Sequence, residues 1–210
     1  MTEISYVKHQ AELIRATEGT PSIVIASTAR VCRDGTESLS YCEARKLCRK
    51  LLGWGHLSPF EFFEVTFACT TNRAVSHELV RHRLASYMQE SQRYCAYDKE
   101  LPVVPPQKLL QDKPQVFQVW ADSIRLSYKV YLELIAEGLK AEDARTVLPE
   151  ATATKILVKM NLRELRHFLT LRTSNAAWTE MRELARAMKN AFFAAYPDEL
   201  YLLEASKSVR

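Results

Sequence analysis

Four apolar residues at every second position, Phe63, Val65, Phe67 and Cys69, alternate with Glu64, Thr66 and Ala68. A period of two places one set on one face and the other set opposite, so the stretch from Phe60 to Cys69 reads as a half-buried antiparallel strand. A one-sided strand must be covered, and the chain supplies cover at helical spacing in at least four places. Glu37 to Trp54 repeats Leu39, Cys42 (or Ala44), Leu47, Leu51 and Trp54, and ends at Gly53 and Gly55. Val116 to Leu139 carries an inward stripe of Val119, Trp120, Ile124, Tyr128, Tyr131, Leu132 and Ile135. Asn161 to Arg172 and Glu180 to Tyr196 complete the set. Thr71 or Asn72 caps a shorter helix reaching Arg81, and Lys108 to Asp112 forms one more short piece. Ala151 to Met160 reads as a second strand and residues 3–8 as a weak edge strand. Pro21 to Val31 fits a strand by its Ile-Val-Ile run, or a helix by its Thr20-Pro21 start. Pro102, Pro105 and Pro106 mark a loop, and Leu200 to Ala205 a tail. The expected fold class is α/β, of the α+β kind: a central, largely antiparallel sheet with packed helices, in one domain spanning residues 1–210.

Arg81 to Tyr94 reads Arg-His-Arg-Leu-Ala-Ser-Tyr-Met-Gln-Glu-Ser-Gln-Arg-Tyr. It has no glycine or proline, so it is not an ordinary flexible loop. Only Leu84, Ala85 and Met88 are plainly apolar, too few for a core strand or an amphipathic helix. A segment this rich in donors suits an anionic ligand, because guanidinium groups bind phosphate bidentately and serine hydroxyls fill the remaining lone pairs. Arg81, His82 and Arg83 alone also fit a solvated basic corner or a contact to a nucleic-acid backbone. The segment opens at a helix C-terminus, which repels anions, so its arginine heads must bind phosphate without a helix dipole. Glu78 lies one turn before Arg81 on that helix, where Arg81 can neutralise it.

The net charge of +4 falls short of a nucleic-acid-binding footprint. Arginine outnumbers lysine, 17 to 12, and several arginines sit inside apolar patterns, as they would if held for a ligand. The five cysteines, Cys32, Cys42, Cys48, Cys69 and Cys95, form no Cys-x-x-Cys pair. Neither a disulfide framework nor a zinc site is indicated. No apolar run approaches the ~20 residues of a membrane span, and Met1 to Arg15 lacks an apolar signal core, which points to the cytoplasm. There is no Gly-x-Gly-x-x-Gly and no P-loop, so any cofactor must be held by side chains. Asn161 and Arg172 fall on one helix face, ~16 Å apart along the axis. With Leu165 and Phe168 between them they could line a long, flat cofactor, or be two helix ends that happen to be polar.

The run from Arg81 to Ser91, Arg-His-Arg followed after seven residues by Ser, resembles the signature of the flavin-dependent thymidylate synthases. Three other segments resemble that family: His56-Leu57-Ser58-Pro59-Phe60-Glu61, Arg145 in the run to Pro149, and Asn161-Leu162-Arg163 with Leu171-Arg172 at the helix end. Ser174 to Trp178 departs from the family's usual Ala-Gln-Trp, and Glu78 from a glutamine. The resemblance selects helix for Pro21 to Val31. It implies reductive methylation of dUMP to dTMP, with methylenetetrahydrofolate as carbon donor and NADPH as reductant through bound FAD. It assigns Ser58, Arg81, His82, Arg83, Gln89, Asn161, Arg163 and His167 to FAD. It assigns Glu78, Arg81, Gln89, Glu90, Ser91, Gln92, Arg93, Arg145 and Arg172 to dUMP, with Arg172 as the catalytic arginine that activates the pyrimidine. No metal and no attacking cysteine are implied. A homotetramer with shared active sites is. Two readings from other classes stand beside it. One is a phosphate- or nucleic-acid-binding module using Arg81–Arg93. The other is an assembly protein whose Val116–Leu139 helix builds an interface.

Overall fold

The computed structural model describes residues 3–33, 35 and 38–204. Along these the chain forms β1 (Glu3–Tyr6), β2 (Gln10–Ala16), α1 (Pro21–Val31), α2 (Tyr41–Trp54), β3 (Glu64–Asn72), α3 (Arg73–Leu79), β4 (Ala85–Gln89), β5 (Glu100–Val103), α4 (Gln107–Asp112), α5 (Phe117–Ala136), α6 (Ala141–Ala144), β6 (Ala153–Asn161), α7 (Leu162–Arg172) and α8 (Thr179–Ala195). A four-stranded sheet in the order β2-β3-β6-β4 is antiparallel throughout. A separate two-stranded sheet pairs β1 with β5 in parallel.

The alternation read from the sequence in β3 shapes the main core, and β6 beside it alternates in the same way. Val65, Phe67 and Cys69 of β3 and Ile156, Val158 and Met160 of β6 all point into one apolar cluster. Leu165 and Phe168 of α7, Leu184 and Met188 of α8, and Ile25 of α1 close over it. A second cluster forms where Ile124, Tyr128 and Tyr131 of α5 meet Leu101 and Val103 of β5. Val119, expected on the inward stripe of that helix, is 70% exposed. The buried residues of α5 fall at three- and four-residue steps from Ala121, so the true stripe runs slightly to one side of the expected one.

Two strand-to-helix junctions position the rest. Asn72 ends β3 and caps α3, its Oδ1 accepting from Val75 N at 2.8 Å. Asn161 ends β6 and caps α7 in the same way, accepting from Glu164 N at 2.9 Å. Glu64 pairs with Asn161 and Asn72 with Ala153, so the two junctions stand at opposite ends of the β3–β6 pair. The seven residues of α3 return the chain by ~10 Å, and β4 then starts with Ala85 opposite Met160. Arg81, His82 and Arg83 therefore arrive beside the start of α7.

Several boundaries differ from the sequence reading. Ala85 to Gln89 is a strand despite its few apolar residues. It is a sheet edge, where backbone pairing to β6 needs only one partly covered side, and Met88 stays 72% exposed. Pro102, expected in a loop, lies within β5. In a two-stranded sheet every strand is an edge, where proline's missing N–H is tolerated. Helix α2 begins at Tyr41, because Ser40 closes a capping box with Glu43; its buried position is Ala44, and Cys42 is exposed. The expected start at Glu37 and the tail's end at Ala205 lie outside the described residues. Phe67, fully buried in the sheet's core, should cost about 3–5 kcal/mol when changed to alanine. Ser40→Ala, which removes only the α2 cap, should cost about 1 kcal/mol. Chemical denaturation of both variants measures the difference.

Candidate functional site

Where the Arg81–Arg83 corner meets α7, the surface opens into a cleft of about 870 Å³. Arg81, Arg83, Arg163, Arg166 and Arg172 line it, with His82 and His167, and Glu164 is the one carboxylate among the lining residues. Arg81 and Arg83 are exposed and make no side-chain bond among the described residues. Arg163 pairs with Glu61, and Arg166 donates to the backbone carbonyls of Leu202 and Glu204. The cleft thus carries cationic charge that the protein leaves unneutralised, the condition an anionic ligand meets.

One chain of polar contacts crosses the cleft wall. Glu164 Oε1 accepts from His82 Nδ1 at 3.1 Å. His82 Nε2 accepts from Arg172 Nε at 3.0 Å. Arg172 Nη1 donates to Glu78 Oε2 at 3.1 Å. A guanidinium can only donate, so the ring nitrogen facing it must bear a lone pair, and His82 is the neutral Nδ1–H tautomer. Burial lowers the His82 pKa below its ordinary value; the Glu164 hydrogen bond opposes this and the Arg172 charge reinforces it. The ring lies edge-on to Phe168, 5.0 Å between centroids, and 6.2 Å from His167. The main chain of His82 is engaged too: its N–H donates to Leu79 O, and its carbonyl accepts from the Tyr87 hydroxyl at 2.8 Å.

This geometry corrects two sequence expectations. Arg172, and not Arg81, neutralises Glu78; Arg81 lies past the end of α3 and turns to the open cleft. Leu165 and Phe168 do not line a ligand surface: both are wholly buried in the core. Asn161 is engaged as the α7 cap, and the cleft side of the helix is formed instead by Arg163, His167 and Thr170.

The remaining expected residues lie elsewhere. Gln89 stands four residues along β4 from Ala85, roughly 13 Å away at strand spacing. Its amide donates to Ser76 and Thr154, and Glu90 accepts from Lys155 N. Gln89 and Glu90 border a smaller cleft of about 520 Å³. Ser91 caps its own turn through Arg93 N, and Gln92 is buried nearby. Arg93 pairs with the Glu142 carboxylate, and Arg145 donates to the Glu142 carbonyl. Ser58 lines a third cleft, of about 800 Å³, with Trp54, His56 and Phe62. Within one chain, then, His82, Arg81, Arg83, Arg163, His167 and Arg172 come together, with Glu78 beside them, and the others do not join them. Glu164 was missed. Asn161-x-x-Glu164 reads as a capping box, yet its carboxylate turns to His82, which no local spacing signals.

No cysteine lines the arginine cleft. Cys48 and Cys69 are buried, which pushes their thiols up to about 12. Among the described residues no group of His, Cys, Asp and Glu is arranged to hold a metal ion, and no helix is long and apolar enough to cross a membrane.

Residues 12–198 match the family described as thymidylate synthase complementing protein. A flavin-dependent thymidylate synthase of Pyrococcus furiosus is 36% identical over 192 residues, 90% of this chain and 76% of that protein. One from Thermococcus onnurineus is 43% identical over 143 residues, covering 66% of this chain and 58% of its own length. The crystal structure of a UMP/dUMP methylase, PolB from Streptomyces cacaoi, bound with 5-Br dUMP superposes with a TM-score of 0.84 at 26% identity, covering 95% of this chain and 96% of that one. With the Arg-His-Arg corner, the capped α7 and the terminal Arg172 all in place, the chain belongs to the flavin-dependent thymidylate synthase family.

Proposed function

We propose that this chain methylates dUMP to dTMP reductively, with FAD as cofactor, methylenetetrahydrofolate as carbon donor and NADPH as reductant. The observation that carries the reading is the arginine cleft built around Arg172. A dinucleotide fits it on chemical grounds: Arg81 and Arg83 have no partner among the described residues, and Glu164, the one carboxylate among the described lining residues, is buried and committed to His82. Arg81, Arg83, Arg163 and His167 would hold FAD there, with Ser58, Gln89 and the free amide of Asn161 contributing from outside this cleft. His82 is left out of direct contact, since both ring nitrogens and its main chain are engaged. Bound FAD, reduced by NADPH, supplies the electrons of the reduction.

Arg172 takes the catalytic role. Pyrimidine C5 is a weak nucleophile, and a guanidinium beside the ring's O2–N3 edge would stabilise negative charge developing on that edge, which enriches C5 in electron density and so activates it. With no cysteine in the cleft, this activation needs no covalent bond to the ring. The other nucleotide residues, Gln89, Glu90, Ser91, Gln92, Arg93 and Arg145, sit toward the far end of β4 or beyond it. Such a division suits a homotetramer with shared active sites, in which one subunit offers the Arg172 end and another the Ser91–Arg93 end.

Purified protein should show a flavin absorption spectrum, and a colourless preparation that cannot be loaded with FAD would refute the reading. Arg81→Ala should weaken dUMP binding and Arg83→Ala FAD binding, each by about 1.5–3 kcal/mol, the scale of a lost charge-assisted hydrogen bond. Titrations of both ligands read this directly. Arg172→Lys keeps the charge and loses the planar fork, so dTMP formation at saturating dUMP should drop about 10²-fold or more, with FAD content near normal. His82 adds a pH dependence. The unfolded chain takes up its proton below about pH 6.5, whereas native His82 resists until lower pH. Its contribution to stability is therefore complete above that value, declines on acidification, and levels off below the native pKa. Thermal unfolding across about pH 5–7.5 should show this slope in the wild type and a flatter one in His82→Gln.

A further inference from the structure

We infer that Glu164 and Glu78 are positioning residues of this site: Glu164, acting through His82, and Glu78, acting directly, clamp the Arg172 guanidinium and leave its Nη2 edge to the ligand. The inference rests on the reaction proposed above, and neither carboxylate needs to touch a reacting atom.

The argument follows from which atoms can donate. Arg172 has three nitrogens. Nε is held by His82 Nε2 and Nη1 by Glu78 Oε2, while Nη2 makes no bond among the described residues. Two fixed sides of a planar group fix its plane, so the third side is aimed without further loss of freedom. The hold at Nε exists only while His82 Nε2 carries a lone pair. The groups facing the ring are Glu164, His167 and Arg172, all from α7. Of these only Glu164 binds Nδ1. A carboxylate is acceptor-only, so it fixes the ring proton at Nδ1 and the lone pair at Nε2. Glu164 is itself immobilised, with 4% of its side chain exposed and its backbone N–H donating to the Asn161 cap. Metal-binding histidines are oriented by carboxylates in the same manner; here the oriented group is an arginine. A glutamine at 164 could offer its NH₂ instead, stabilising the Nε2–H tautomer and setting two N–H groups against each other at Arg172. At the other anchor, Glu78→Gln would lose the ion pair while keeping the shape.

A double-mutant cycle on FAD-loaded protein tests this, reading the dissociation constant of dUMP by titration and the His82 tautomer by ¹⁵N NMR. Glu164→Gln should weaken dUMP binding about tenfold when residue 172 is arginine. In the Arg172→Lys background the same change should cost within about twofold, because the loss runs through Arg172. Glu164→Asp, which keeps the acceptor, should recover part of the affinity. Glu78→Gln alters a part-exposed side chain and should show the same coupling, which keeps the test decisive if Glu164→Gln folds poorly. Equal losses in both backgrounds, or unchanged affinity in both carboxylate variants while wild type binds dUMP, would overturn the inference and leave the proposed reaction standing. If wild type itself fails to bind dUMP, the proposed reaction falls, and the tautomer then decides the clamp: Nδ1–H in wild type and lost in Glu164→Gln upholds it, Nε2–H in wild type overturns it.

Discussion

The hydrogen bond from Arg172 Nε to His82 Nε2 is the contact on which the site depends. It joins the last residue of α7 to a corner 90 residues earlier. It exists because burial keeps His82 neutral, because Glu164 holds the ring proton on the far nitrogen, and because α3 and β4 return the Arg-His-Arg corner to the start of α7. The sheet register and the two asparagine caps thus act on chemistry at a distance. The caps set where α3 and α7 begin, and the length of α7 then sets where Arg172 stands.

Charge is arranged with equal economy. Five arginines around a cleft repel one another, and a fold would ordinarily neutralise them. Here neutralisation is selective. Arg163 and Arg172 have carboxylate partners at the rim, Arg166 is turned to the C-terminal backbone, and Arg81 and Arg83 are left open. The arginines whose geometry matters are fixed, and those whose charge matters remain available to an anion. The only lining carboxylate orients a histidine and does not cancel the field.

The sequence made some of this legible. The alternation in β3 was plain because that strand has one buried and one more open face, which is what a period of two reports, whereas β6 was legible by its Thr, Ile and Val content. The cap of α3 was legible as Thr71 or Asn72 because capping is local, and it is Asn72 that accepts from Val75; the capping role of Asn161 was not read. The edge strand β4 was not, since an edge strand is held by backbone pairing that leaves little apolar pattern. Within the site, the Arg-His-Arg corner stood out by its run of cations and Arg172 by its helix face and the family resemblance, but the pairing of Glu78 did not. Helical proximity favoured Arg81, whereas the tertiary fold brought Arg172 closer. Glu164 was invisible because its local environment offered a simpler role, completing a cap, that the fold did not use.

The central claim is that a fixed Arg172 meets the pyrimidine. A crystal structure of the FAD-loaded protein with dUMP tests it most directly. The account predicts Arg172 Nη2 against the O2–N3 edge of the uracil ring, with Nε still on His82 and Nη1 still on Glu78. A nucleotide whose ring lies away from Arg172, or an Arg172 released from His82 when the nucleotide binds, would contradict it.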